Sequence, residues 1–196
     1  MSKLTAIAVF CGSSPSNDDA IFRAAYGVGK HLATHKLDIV FGGSKLGLMG
    51  QVAQGALDAG GNVIGVIPEF LRTKELVHNH LTELIITDSM QERKLKMHEL
   101  SDGIITLPGG FGTFEELFEM LTWAQLGLHK KPIGILNTNG YYDDLLVMLK
   151  TMVNKELLSK ENYELLLVDS DLDQLIKKME SFTPLPVPEW MNKDQA

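Results

Sequence analysis

A short glycine loop, a pair of glutamates and a pair of neighbouring cations carry most of the chemistry this chain could perform. The loop lies in Leu107-Pro108-Gly109-Gly110-Phe111-Gly112-Thr113-Phe114-Glu115-Glu116. An apolar run over 103–107 enters it, and Phe114, Leu117, Phe118, Leu121 and Ala124 recur at helical spacing after it. The glycines therefore sit at a strand-to-helix turn. Backbone N–H groups exposed there lie at the positive end of a helix, where a phosphate is favoured. Glycine also lets the backbone approach a ligand without a Cβ clash. The third glycine of a dinucleotide fingerprint is missing, and Glu115 stands in its place, so the pattern is GxGxxE. Two acids in a first helical turn leave little room for a pyrophosphate; they suit one phosphate with carboxylate chemistry beside it. The same spacing also reads as a capping box, Thr113 and Glu116 satisfying orphan N–H groups. Spacing alone leaves both readings open.

Further candidates lie upstream. Gly42-Gly43-Ser44-Lys45-Leu46-Gly47-Leu48-Met49-Gly50 has P-loop spacing, but Leu48 and Met49 stand where a lysine and a hydroxyl are needed. Nucleoside triphosphate hydrolysis is therefore not expected, although this backbone could still line a small-molecule pocket. Ser13 and Ser14 follow the first apolar run and offer hydroxyls at a strand end; an ordinary turn would account for them equally well. Arg93 and Lys94 stand near the start of a helix, where cations oppose the dipole. An arginine fork suits a phosphate or ribose oxygens, whereas a solvated face with Glu92 and Lys96 at i, i+4 accounts for the pair without function. His78-x-His80 lacks a third ligand nearby, so solvated loop histidines are expected rather than a metal site.

The elements that must position these residues follow from periodicity. Apolar runs over 6–11, 37–41, 62–67, 84–87, 103–107 and 133–136 read as strands, the first as one buried on both faces. Helices are expected from a Ser16 or Asn17 cap to about residue 36, over 49–59, over 90–100 behind an Asp88 or Ser89 cap, after the central loop, and over 141–154 and 171–182. Residues 164–169 give a weaker segment. Strands alternating with helices predict a single-domain, Rossmann-like, doubly wound parallel sheet with helices on both faces, over residues 1–182. Residues 183–196 read as a surface tail. Three loops, after the first, second and fifth strands, then meet at one end of the sheet.

Together the motifs resemble one family. Pro108 to Glu116 has the form PGGxGTxxE and is similar to the signature of the LONELY GUY family, the cytokinin riboside 5′-monophosphate phosphoribohydrolases, long labelled "lysine decarboxylase-like". The likeness continues through residues 121–127 and back to 42–50 and Met90-Gln91-Glu92-Arg93-Lys94, in order and at the family's spacing. It implies hydrolysis of the N-glycosidic bond of an adenosine 5′-monophosphate, N6-modified or plain, to free base and ribose 5-phosphate. It implies Glu116 and Arg93 as catalytic residues and Gly109, Gly110, Phe111, Gly112 and Thr113 around the phosphate. Ser14, Gly43, Glu75, Lys94, Phe114, Glu115 and Thr122 would complete the substrate pocket. No metal or redox cofactor is required, and a homodimer is expected. Two rivals stand beside this reading. A nucleotide or pterin-phosphate carrier would need the glycine loops but not Glu116. A decarboxylase would need a pyridoxal lysine, and no lysine has a recognisable cofactor context.

Composition narrows the classes. A chain of 196 residues with 44% hydrophobic content suits one well-cored domain. A net charge of −7 argues against a nucleic acid polymer as partner. The single cysteine, Cys11, excludes an internal disulfide and fits a reducing compartment. The run over 4–11 is too short to span a membrane and has no signal-peptide pattern around it, so a cytoplasmic protein without a membrane partner is expected.

Overall fold

The apolar runs become strands of one seven-stranded sheet in which every pairing is parallel. They are β1 (Ala6–Phe10), β2 (Asp38–Phe41), β3 (Val63–Pro68), β4 (Glu83–Thr87), β5 (Gly103–Thr106), β6 (Ile133–Leu136) and β7 (Leu166–Asp169). A computed structural model describes residues 4–72 and 76–186; Glu75 and most of the expected tail, 187–196, lie outside the described residues. The sheet order is β4-β3-β2-β1-β5-β6-β7. The chain thus steps outward from β1 to β4, then returns to place β5 on the other side of β1. That reversal makes the β1/β5 boundary the switch point, where loops from neighbouring strands diverge and leave a crevice.

Alternation along the strands divides the core in two. Ile7 and Val9 of β1 face one way, with Ile39, Phe41, Val63 and Ile105, beneath α1 (Asp19–Thr34), α2 (Gly47–Asp58) and α7 (Leu172–Glu180). Ala8 and Phe10 face the other way, with Val40, Val66, Ile104 and Ile133, beneath α3 (Met90–Glu99), α4 (Phe111–Gln125) and α5 (Asp143–Asn154). Helices thus cover both faces, and the doubly wound α/β expectation holds. The small residues of the second helix have a packing reason. A Cβ on Gly29 of α1 would lie 1.9 Å from the Val52 carbonyl oxygen, and one on Gly55 of α2 would lie 2.1 Å from that of Tyr26. The two helices therefore cross with their backbones nearly touching.

Several boundaries shift for local reasons. The cap of α1 is Asp18, whose carboxylate accepts the N–H groups of Ala20 and Ile21, while Ser16 accepts the N–H of Asp18 itself. The second helix begins two residues earlier than periodicity suggests, at Gly47, and α5 two residues later, at Asp143. A helical turn that periodicity did not suggest, α6 (Lys160–Tyr163), is capped by Ser159. The weak segment before α7 is a full edge strand. Phe182 and Leu185 pack against the second core, so the beginning of the expected tail is anchored. Among the described residues no helix is long and apolar enough to cross a membrane.

Candidate functional site

The central loop owes its shape to three captured carbonyls. The Leu107 carbonyl accepts the buried Tyr142 hydroxyl at 2.7 Å, that of Pro108 accepts the Gly12 N–H at 3.0 Å, and that of Gly109 accepts the Tyr141 hydroxyl at 2.6 Å. Gly109 must be glycine here. A Cβ on it would meet Thr113 Oγ1 at 2.1 Å and the Gly12 nitrogen at 2.8 Å. Gly110 and Gly112 face open space, and neither has a positive φ, so backbone strain is not what selects them.

The helix that follows begins earlier than spacing suggests, and this decides between the two readings of Thr113 and Glu116. Gly110 is the N-cap of α4, without a side-chain cap bond, and no acid lies in the first turn. Thr113 is therefore already the third helical residue and Glu116 lies in the second turn. The capping-box reading fails on this geometry, as does the placement of two acids in the first turn. A capping arrangement of that kind forms on α3 instead, where Ser89 accepts the Glu92 N–H and Glu92 accepts the Asp88 N–H. The N–H groups of Phe111, Gly112 and Thr113, which a helix cannot satisfy internally, are left at the mouth of a cleft these residues line. The P-loop-like segment has a different job. The first-turn N–H groups of Leu48 and Met49 are taken up by the Gly12 carbonyl, and a Cβ on Gly47, at φ 56°, would lie 2.4 Å from the Ser13 carbonyl carbon. It braces the β1 loop, and the free positive helix end in this cleft is that of α4.

Arg93 and Glu116 meet at the floor. Both are 8% exposed, Nη1 donates to Glu116 Oε1 at 2.8 Å, and Nε donates to the Val66 carbonyl at 3.1 Å. Gly42, at the end of β2, makes this seat possible: a Cβ there would lie 2.0 Å from Arg93 Nη2 and 2.4 Å from the Met49 methyl. Burial pushes the Glu116 carboxyl above the usual glutamate range, although the Arg93 charge and hydrogen bond pull against it. Cys11 also lines the cleft, and burial, then the Glu116 charge, push its thiol up, so it stays neutral and unreactive. Lys94 takes the other pair of acids. Its ammonium donates to Glu115 and, at 3.0 Å, to Glu119. Burial works against that charge, but the hydrogen bonds and negative charges of Glu115 and Glu119 together hold Lys94 above its ordinary value. Adjacent cations thus form two rungs between α3 and α4, one inside the cleft and one beside it.

The cleft encloses about 660 Å³, within the range of small-molecule sites. Its lining is mixed: Ser13, Ser14, Glu115 and the α4 terminus supply polar groups, and Leu46, Leu48, Met49, Ile67, Leu71 and Leu76 supply apolar ones. Of the residues singled out by sequence, Ser14, Arg93, Gly109, Gly110, Phe111, Gly112, Thr113, Glu115 and Glu116 converge there. Phe111 stands at the rim, 95% exposed. Gly43, Lys94, Phe114 and Thr122 do not line it. Gly43 turns away at φ 75° and accepts the His78 N–H; Phe114 packs edge-on against Tyr142; the Thr122 hydroxyl is spent on the Phe118 carbonyl one turn back. Sequence reading passed over Tyr141 and Tyr142 and took Gly42 only as part of the P-loop-like segment; their roles appear once β6 lies beside β5 and Arg93 of α3 reaches the end of β2. Among the described residues one trio places potential metal-ligand atoms within 4.8 Å, His31, His35 and Asp173. Its imidazoles stack at 4.1 Å and 25°, so their lone pairs run side by side rather than converging.

Known proteins share both sequence and fold with this chain. A family model described as "possible lysine decarboxylase" matches residues 49–179. The cytokinin riboside 5′-monophosphate phosphoribohydrolase LOG3 of Arabidopsis thaliana is 42% identical over 183 residues, covering 93% of this chain and 85% of that protein. The probable cytokinin riboside 5′-monophosphate phosphoribohydrolase LOGL9 of Oryza sativa subsp. japonica is 42% identical over 184 residues, 94% of this chain and 81% of its own length. Among solved structures, a molybdenum cofactor binding protein from Rippkaea orientalis superposes with a TM-score of 0.69 at 21% identity, over 92% of this chain and 98% of its own. The molybdenum cofactor carrier protein of Chlamydomonas reinhardtii gives 0.64 at 22%, over 91% and 98%. At such identities these two speak to the fold.

Proposed function

The chain belongs to the LONELY GUY family, and on that premise we propose that it hydrolyses the N-glycosidic bond of adenosine 5′-monophosphates, N6-modified or plain. The observation that carries this reading is the Arg93–Glu116 pair, buried at the floor of a cleft whose rim is an uncapped helix terminus. The terminus, Gly109 to Thr113, holds the 5′-phosphate by backbone N–H groups. Ser14 and Glu115 contact the sugar end, and the leucine and methionine side chains of the lining receive the base with any apolar N6 substituent.

Water supplies the oxygen in this reaction. As the bond from C1′ to the base nitrogen breaks, positive charge grows on the ribose and the electron pair leaves with the base. The Glu116 carboxylate stabilises that cation and takes a proton from the water that attacks C1′. Its raised pKa makes it a better base than an ordinary glutamate. The departing base takes up a proton from solvent, Glu116 returns to solvent the one it took from water, and ribose 5-phosphate carries the new hydroxyl. Arg93 fixes the carboxylate and stabilises charge on the reacting sugar and leaving group.

Incubation with AMP and with an N6-prenylated AMP, followed by chromatography, should show free base and ribose 5-phosphate in equal amounts. Stoichiometric binding with no base released from either would support a carrier and overturn the hydrolase reading. We also propose a homodimer, supported by the exposed apolar side chains Phe118, Val147 and Met148 on α4 and α5. Sedimentation at micromolar concentration reads this directly, and a monomer would exclude it.

A further inference from the structure

We propose that Tyr141 is a positioning residue that fixes the Gly109–Gly110 peptide in its anion-binding orientation; this rests on the reading of the α4 terminus as the phosphate site. A peptide between two glycines has no Cβ on either side to resist a flip. Flipped, it would present the Gly109 carbonyl oxygen, a partial negative charge, to the phosphate. The Tyr141 hydroxyl prevents this by holding that oxygen at 2.6 Å. The peptide is trans, so the Gly110 N–H must point opposite to the captured carbonyl. Tyr142 and Gly12 hold the two preceding carbonyls, so three in succession are turned to protein donors and the N–H groups that follow are left for a ligand.

The hydroxyl is itself held in place by the loop after β6. Asn139 adopts φ 53° and donates to Asp18 at 2.7 Å, tying the loop to the cap of α1. Asn137 accepts the Tyr142 N–H at 2.8 Å and donates to Asp143 at 2.7 Å. The Tyr141 ring stands edge-on to Tyr142, with centroids 5.0 Å apart. Loop, ring and hydroxyl are thus set by the fold before any ligand arrives, and Tyr141 acts through Gly109.

Tyr141→Phe removes only the hydroxyl from a side chain that is 43% exposed, so the fold is not at risk. Calorimetry with ribose 5-phosphate on the full chain should show Kd weakened about tenfold, the scale of one lost hydrogen bond. KM for the nucleoside monophosphate should rise by a similar factor while kcat stays within about twofold, the split expected for lost ground-state binding. An unchanged Kd overturns the proposal. So does a fall in kcat with Kd and KM unchanged, which would put the hydroxyl on the reacting sugar. A wild type that binds ribose 5-phosphate but hydrolyses no nucleotide sinks the proposed activity alone, because the Kd ratio still tests the clamp. A wild type that does not bind it overturns the clamp itself.

Discussion

Glu116→Gln should lower kcat/KM by about a hundredfold or more, the scale of losing a key electrostatic group, and leave the melting temperature within about 5 °C. The amide oxygen keeps an acceptor for Arg93 Nη1, now 2.8 Å from Oε1. It cannot take a proton from water or offset charge on the ribose. Stability should change little for two opposing reasons. The guanidinium loses a charged partner, but a carboxyl whose pKa is already raised by burial is relieved of its desolvation. The position also carries no capping duty, since α4 begins at Phe111 and its cap is Gly110. Steady-state kinetics and a thermal melt on the same preparation check both halves. Activity within a few fold of wild type would remove Glu116 from the chemistry; a melting temperature many degrees lower with normal activity would make it a structural ion-pair partner.

The strands, the winding and the convergence of three loops were legible in the sequence, because continuous apolar runs and glycine-punctuated helices depend on neighbours close in the chain. What was not legible depends on residues far apart. Nothing in the string around Gly42 announces that a guanidinium 51 positions later will lie where its Cβ would be. Tyr141 and Tyr142 follow an Asn-Gly turn and look like the start of a helix; they reach Gly109 and Leu107 only because β6 lies beside β5. The Thr113-x-x-Glu116 spacing misled because a glycine can occupy an N-cap without a side-chain bond, which moves the helix start upstream of the apparent capping residue. The loop glycines serve different ends: at Gly109 a Cβ would strike Thr113 and Gly12. Gly112 has an ordinary helical backbone, so what it provides is room for a ligand. Arg93 and Lys94, read together as opposing the dipole of α3, are separated in the fold, each finding its own carboxylates on α4.

Arg93→Met should reduce kcat/KM by about a thousandfold at neutral pH and move the acid limb of the pH–rate profile upward. Methionine fills much of the stem's volume beside Val66 and Gly42 and removes the charge. In the wild type, burial raises the Glu116 carboxyl and Arg93 is the largest influence holding it down. Without Arg93, burial and the Glu115 charge are opposed only by the smaller influence of Lys94, so the folded-state pKa climbs further. At a given pH less of the protein then carries the carboxylate, and activity recovers only as pH rises. Stability should follow the same sign. An acid whose folded pKa lies above its unfolded value binds its proton more tightly in the native state, so its cost is absent at low pH and grows as pH rises toward the folded value. The melting temperature of Arg93→Met should therefore fall further behind wild type in alkaline than in acidic buffer. A profile with reduced height but an unmoved acid limb would show that the titrating group is not Glu116. A shift toward lower pH would reverse the electrostatic relation between the two residues and overturn the assignment of Arg93 as the carboxylate's partner in catalysis.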